Sequence, residues 1–406
     1  MKRREKRFRE NSVILRGHKK INENAGGRQL RRYDIDWLRN FIIILLIPFH
    51  TARIFDYWEP NYVKSVELSW GLSWFIALIG YWFMPLMFWL AGSASWYALE
   101  SRTGYDYFKE RINRLFVPLV FGLLFIVPPQ GYLSKISNPS YDQNYLEFLS
   151  AYFFDFSDLS GYFGTFTPAH LWFILYLLIF SLGGLPLLLK LKKESGRRVV
   201  ARMSQYLSIP WIYVMVFIIL TVTEAFPAPG GKNPFFFFFL FFAGYFTSAD
   251  KCFEVVINKL KFKALLFLFI NFPVYLFLAL KWAGLPDFAP ESILLAFIRN
   301  LAIWLTIIVL LGYGKRFLTF GNNWLNYMNR AAFPVYILHQ TVLLIIGFLI
   351  LPFDISIGFK FLLITLLSFI SCFGIYELLI RRNSVASWLF GVKAETSINK
   401  NSTIGM

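Results

Sequence analysis

Charge, histidine and cysteine are all scarce in this chain, and each scarcity narrows what it can be. Only 16% of its 406 residues are charged, against about 25% in ordinary soluble domains. That excludes a water-facing globule. The two cysteines are Cys252 in a basic segment and Cys372 inside an apolar one. They supply neither a disulfide framework nor a thiolate metal site. Among the four histidines no HxxxH or HExxH spacing occurs, and carboxylates are rare within the apolar stretches. A metal is therefore not expected. Because no apolar run precedes Asp36, neither is a cleavable signal peptide. No internal repeat is visible.

Apolar residues are what the chain has in abundance: 57% are hydrophobic and 20% aromatic. They fall in successive runs of about 20 residues, the length that crosses a hydrocarbon core of roughly 30 Å. The expected fold is an all-α integral membrane protein, with about ten transmembrane helices around a polar central cavity. The spans are expected near 36–56, 71–99, 112–132, 168–189, 207–226, 234–249, 262–281, 291–312, 331–352 and 357–380. A basic tail, 1–32, precedes the transmembrane domain, 33–382, and a short tail, 383–406, follows it. The phenylalanine run 235–239 reads as lipid-facing material.

The net charge of +17 suits nucleic acid in principle, but the basic residues lie in short segments between apolar runs. Alternate segments carry Arg102, Lys109 and Arg111; Lys190 to Arg202; Lys251, Lys259, Lys261 and Lys263; then Lys315, Arg316 and Arg330; and finally Arg381, Arg382 and Lys393. The intervening ones are neutral or acidic, with Asp142, Glu147, Asp155 and Asp158. The positive-inside rule then puts both termini in the cytoplasm and makes nucleic acid an unexpected partner. Membrane lipids are expected partners, with the basic tail attracted to anionic headgroups.

The first span, DWLRNFIIILLIPFHTARIF, organises the rest. Arg39 and His50 are eleven residues apart, about 16 Å along a helix and close to three full turns, so they share a face. That face should turn to a cavity, because polar groups toward lipid are costly. Pro48 is expected to kink the helix just before His50. His170 and His339 also fall in or beside apolar spans. One such histidine alone reads equally as an interhelical hydrogen bond; three with an arginine favour a polar site.

Asp36 either pairs with Arg39 or caps the helix start. Tyr336 and His339, three apart, can line the cavity opposite His50 or simply pack. Glu224 could orient a histidine. Arg111 and Arg114 either snorkel to lipid phosphate or recognise a phosphorylated ligand. The aromatic segment 133–167 fits an interfacial belt better than a sugar platform.

Four stretches in order, Arg39 with ten residues to His50, FKERINRLFVP, HLWFI and YILHQ, resemble the membrane acyltransferase-3 family. The resemblance runs from about Tyr33 to Arg382, and DWLRNFIIILLIPFH is similar to the first span of its glucans biosynthesis protein C branch. It implies an O-acyltransferase that moves an acyl group from cytoplasmic acyl-coenzyme A to a hydroxyl of a glycan or glycolipid at the outer face of a prokaryotic plasma membrane. The catalytic pair would be His50 and Arg39, with Arg111 and Arg114 near the coenzyme A phosphates and no permanently bound cofactor.

His170 and Trp172 match the branch that carries HLWF where others carry an acidic WSLxxE-like stretch, which leaves the partner of His50 open. Direct transfer and an acyl-histidine intermediate are equally compatible. The pocket around His50, with Trp172 and Trp82, would choose the acyl group, and the absence of a spare intramembrane lysine favours acetyl over succinyl. A second transfer step within this chain is not expected. The competing class is a secondary transporter or flippase, which shares the spans and the intramembrane charge but would show paired halves.

Overall fold

A computed structural model describes residues 31–207, 212–249, 252–286 and 288–392, without the side chains of 201–214. The N-terminal tail, most of the C-terminal tail, Lys251 and Lys393 lie outside the described residues, as does the side chain of Arg202. Those that are described form helices and connecting loops with no strand. Seven helices are long and apolar enough to cross a membrane. They are α1 (Tyr33–Ala52), the broken pair α2 (Trp70–Gly80) and α3 (Phe83–Glu100) taken as one, α4 (Gly104–Ile136), α11 (Cys252–Lys281), α12 (Pro290–Phe317), α13 (Asn323–Ile350) and α14 (Ile357–Ile380). An eighth results if Ala169–Gly183, which contains α6 (Trp172–Gly183), and α7 (Leu185–Lys192) are one span bent by 51°.

The other two expected spans correspond to α9 (Ile212–Thr223) and α10 (Pro234–Thr247), of 12 and 14 residues. At 1.5 Å per residue the longer covers about 21 Å, short of a full hydrocarbon core. The remaining helices are α5 (Tyr145–Tyr152), α8 (Glu194–Leu207) and α15 (Ser384–Leu389).

Local chemistry sets many of the ends. Asp34 and Asp36 occupy the first turn of α1, where carboxylates suit the positive end of the helix dipole. Ser69 caps α2, Asn233 caps α10 and Asn322 caps α13. Asn144 and Glu147 form a full capping box on α5, so the segment 133–167, expected as a loop, contains a helix.

The placement of two basic segments needs correction. The lysine segment 259–263 is not a loop: α11 continues through it for 30 residues. Lys261 is buried there, its ammonium hydrogen-bonded to Asn258 Oδ1 at 2.5 Å. Its apolar stem lies against Gly312 of α12, so the helix absorbs the charge by snorkelling. Arg330 likewise lies inside α13. α1 continues through Pro48 to Ala52.

Helices α3 and α10 pack backbone to backbone. A Cβ on Gly92 would stand 1.8 Å from the carbonyl oxygen of Phe241, and one on Gly244 would stand 2.0 Å from that of Trp89. Only hydrogen fits at either place. Helices α1 and α13 run parallel and meet where Arg39 touches Asn329 and His50 faces His339, and Ile54, in the turn after α1, lies against Gly347. That register places the candidate site.

Candidate active site

Three histidines from three separate segments meet between α1 and α13. The ring centroids of His50 and His339 are 5.1 Å apart, and those of His170 and His339 are also 5.1 Å apart. His339 and His170 are buried, at 1% and 7% exposure, whereas His50 keeps part of its surface accessible. Tyr336, one helical turn before His339, packs its ring 5.7 Å from that histidine and 6.0 Å from His170.

His170 is clamped at both ring nitrogens. Its Nε2 bonds the carbonyl of Ile337 at 2.9 Å, and its Nδ1 faces Gln130 Nε2 at 3.2 Å. Gln130 also donates to Thr341 Oγ1 at 2.7 Å, and Thr341 donates to the Ile126 carbonyl at 2.6 Å. The Tyr336 hydroxyl donates to the carbonyl of His170 itself. Ala169, just before it, holds a left-handed backbone with φ of 47°, unusual for a residue with a Cβ. Thr167 steadies this bend by accepting the Ala169 N–H at 3.1 Å. Strain of this kind persists only where surrounding contacts over-determine it.

His339 is held at one nitrogen only. Its Nδ1 lies 2.6 Å from the Tyr336 carbonyl, and its Nε2 is buried with no hydrogen-bond partner. His50 makes ring contacts with Phe49 and His339, and no hydrogen bond joins it to any described residue.

Arg39 is placed one polar layer away from these rings. It bonds Asp36 Oδ1 at 2.9 Å and Asn329 Oδ1 at 2.8 Å, and Asn40 donates to the same Asn329 oxygen at 2.9 Å. Asn329 closes the layer by donating to Asp36 at 3.2 Å. The eleven-residue spacing thus separates Arg39 and His50 into two layers about 16 Å apart along α1, and Asp36 takes the pairing role rather than serving only as a helix-start residue.

Arg111 and Arg114 have different surroundings. Arg111 lies 4.5 Å from the Tyr107 ring centroid and 3.3 Å from Ser95 Oγ, with its Nε buried and unpartnered. Arg114 bonds Glu110 at 3.2 Å and the Gly391 carbonyl at 3.4 Å. Between them the helix widens into a π turn, Ile112–Phe116, so the side-chain stacking expected at a three-residue spacing does not apply.

Two other candidates have partners of their own. Glu224 pairs with Arg299 of α12 at 2.7 Å, and no hydrogen bond joins it to a histidine among the described residues. Trp172 packs in tilted contacts with Phe88 and Phe237 at 5.8 and 4.9 Å and edge-on to Tyr176 at 5.5 Å.

Beyond His50 lies a charged cap that composition does not announce. Asp56, fully buried, accepts from Arg53 at 2.7 Å and from Lys64 at 2.9 Å, and Arg53 reaches Glu59 at 2.9 Å. Burial pushes the Lys64 ammonium below its ordinary value despite Asp56, and burial does the same to Lys232 in the loop before α10. Sequence reasoning also passes over Gln130, Thr341 and Asn329 as site residues. The signal for them is a polar side chain inside an apolar run, as in VPPQG, LHQT and YMNR.

The family model described as an acyltransferase domain matches residues 32–377. The chain belongs to the acyltransferase-3 family. The match covers α1 to α14, and so spans every histidine and arginine of the site. Acyltransferase-3 membership makes this a membrane acyltransferase, and it weighs against the transporter alternative. No curated protein and no solved structure matches the chain.

Proposed function

We propose that the protein is an integral-membrane O-acyltransferase of the glucans biosynthesis protein C-like branch. It takes an acyl group, acetyl in the first instance, from acyl-coenzyme A on the cytoplasmic side and passes it to a hydroxyl of an exported glycan or glycolipid. In this reading ten segments traverse the plasma membrane of a prokaryote, with both termini inside and α9 and α10 the short members.

The observation that carries the reading is the meeting of His50, His170 and His339 in the interior of an acyltransferase-family chain. An imidazole with no hydrogen bond to a described residue and an accessible edge, as His50 has, suits general-base work. The hydroxyl attacks the thioester directly; an acyl-His50 intermediate is the alternative, which label retained on protein would report. Arg111 supports a phosphate-binding role, because its buried, unpartnered Nε is a guanidinium donor with unused capacity. Arg39 acts in the layer below as a positioning residue held by Asp36 and Asn329. The acetyl preference is supported by Arg53: this cation, in the turn just after α1, is already engaged by Asp56 and Glu59 and is not spare for a dicarboxylate.

Thermal unfolding of the purified protein with and without coenzyme A tests the donor. A ligand that binds only the folded state at 100 times its Kd adds about 2.7 kcal/mol. The wild type should be stabilised, and Arg111→Ala should lose most of the increment. No stabilisation of the wild type at millimolar coenzyme would remove the donor from the account.

A further inference from the structure

We infer that His339 is the positioning partner of His50, accepting a His50 ring N–H on its bare Nε2 and so fixing which His50 nitrogen receives the substrate proton. This rests on the acyl-transfer reading above.

The argument follows from which atoms can donate. A carbonyl oxygen only accepts, so the contact from His339 Nδ1 to the Tyr336 carbonyl at 2.6 Å requires a proton on Nδ1. A neutral imidazole with that proton carries a lone pair on Nε2. That Nε2 is buried and has no partner, a costly arrangement for a polar atom. His170 is the opposite case. Its Nε2 must donate to the Ile337 carbonyl, and its Nδ1 must accept from Gln130. Neither nitrogen of His170 is left for chemistry, so it serves as a pillar.

His50 stands 5.1 Å from His339 by ring centroid and has no hydrogen bond to a described residue. It also has the accessible edge that a substrate would meet first. The three rings therefore divide into a pillar, an acceptor locked in one tautomer, and a neighbouring ring whose nitrogens have no hydrogen bond to a described residue. A base whose far N–H is held by a fixed acceptor presents its near lone pair in one direction; in serine proteases a buried carboxylate does this. Here a neutral imidazole takes that place.

The step balances without a co-reactant. The acceptor hydroxyl oxygen adds to the thioester carbonyl carbon, a C–O bond forms and the C–S bond breaks. The hydroxyl proton passes to the near nitrogen of His50 and then to the departing thiolate. The His50 N–H directed at His339 stays in place throughout, and both rings end neutral.

The test compares two amide substitutions. His339→Asn can still donate to the Tyr336 carbonyl from the Nδ1 position but lacks an acceptor where Nε2 stood. His339→Gln reaches that place with an acceptor oxygen. Labelled acetyl-coenzyme A turnover should fall by about 100-fold or more in kcat for the Asn variant, with KM little changed, and the Gln variant should recover about tenfold of that loss. Equal activity of the two variants, or wild-type kcat in the Asn variant, would overturn the inference.

Nitrogen-15 NMR of histidine-labelled protein reads the same claim without turnover. His339 should carry its proton on Nδ1 with Nε2 bare, and a proton found on Nε2 would overturn it. Failure of the acyl-transfer reading looks different: wild type and His50→Ala would then be equally inactive while the His339 tautomer stayed as assigned.

Discussion

Gln130 shows how much of the site depends on residues that carry no charge. Its amide nitrogen bridges His170 on the segment before α6 and Thr341 on α13, tying three segments at one point. Hydrogen bonds between membrane helices contribute about 0.6 kcal/mol each on average, with a maximum near 1.7. Replacing Gln130 by Leu should therefore destabilise the fold by about 1–2 kcal/mol, read as a lower midpoint of unfolding in mixed detergent micelles. Activity should fall further than that stability loss explains, because the His170 pillar loses the donor that fixes its Nδ1. At this scale the sequence is more informative about ionisable groups than about amides. His50, His170, His339 and Tyr336 stand out as polar atoms in apolar runs. Asparagine and glutamine in the same runs, among them Asn329 and Gln130, resemble ordinary interhelical hydrogen bonders until their partners are known.

Helices α3 and α10 set the tightest constraint among the elements. The reciprocal contacts of Gly92 with the Phe241 carbonyl and of Gly244 with the Trp89 carbonyl leave no space for a methyl group on either helix. Gly92→Ala or Gly244→Ala should cost about 3 kcal/mol, the upper end of overpacking, because backbone rather than a flexible side chain must move. Gly183→Ala is the control, since a Cβ there would meet nothing within 4 Å; its unfolding midpoint should be unchanged.

Element positions are largely legible because runs of about 20 apolar residues are a strong signal. The signal weakens where helices overrun their apolar core. α11 begins at Cys252, well before the expected 262, because lysine stems can cover apolar surface while their amines reach polar atoms. It also weakens where a span is interrupted: the 51° bend between α6 and α7 and the π turns of α4 have no periodicity of their own. Arg39 illustrates a register that is readable with a role that is not. The spacing sets its face on α1, but only the fold shows that Asp36 and Asn329 take up its guanidinium.

Across the whole molecule, the charged and aromatic cap over the His50 end makes stability depend on pH. Tyr62 packs on Tyr162 at 5.2 Å, and Tyr152 packs on Phe166 at 5.6 Å. Burial pushes all three phenols above their ordinary value. The folded protein then holds these protons at pH values where the unfolded chain releases them. Their contribution is complete below the ordinary phenol value of about 10 and is lost as pH rises beyond it. Buried Lys64 and Lys232 act in the opposite sense, so the comparison is between proteins: above about pH 9.5 the midpoint of Tyr62→Phe should fall less steeply than that of the wild type. Identical alkaline profiles of the two proteins would contradict the assignment.

Along α1 and the turn after it, the Arg39 layer, the histidines and the charged cap follow one another in that order. The proposed reaction needs a polar path, since a coenzyme A ester carries charged phosphates that cannot cross hydrocarbon while its thioester must reach an external hydroxyl. The central claim is that His50 performs the transfer. Incubating radiolabelled acetyl-coenzyme A with purified wild type and with His50→Ala, and counting label in the coenzyme, protein and glycolipid fractions, tests it most directly. The account predicts loss of label from the coenzyme with wild type and at least about 100-fold less with His50→Ala. Equal transfer by the two proteins would contradict it.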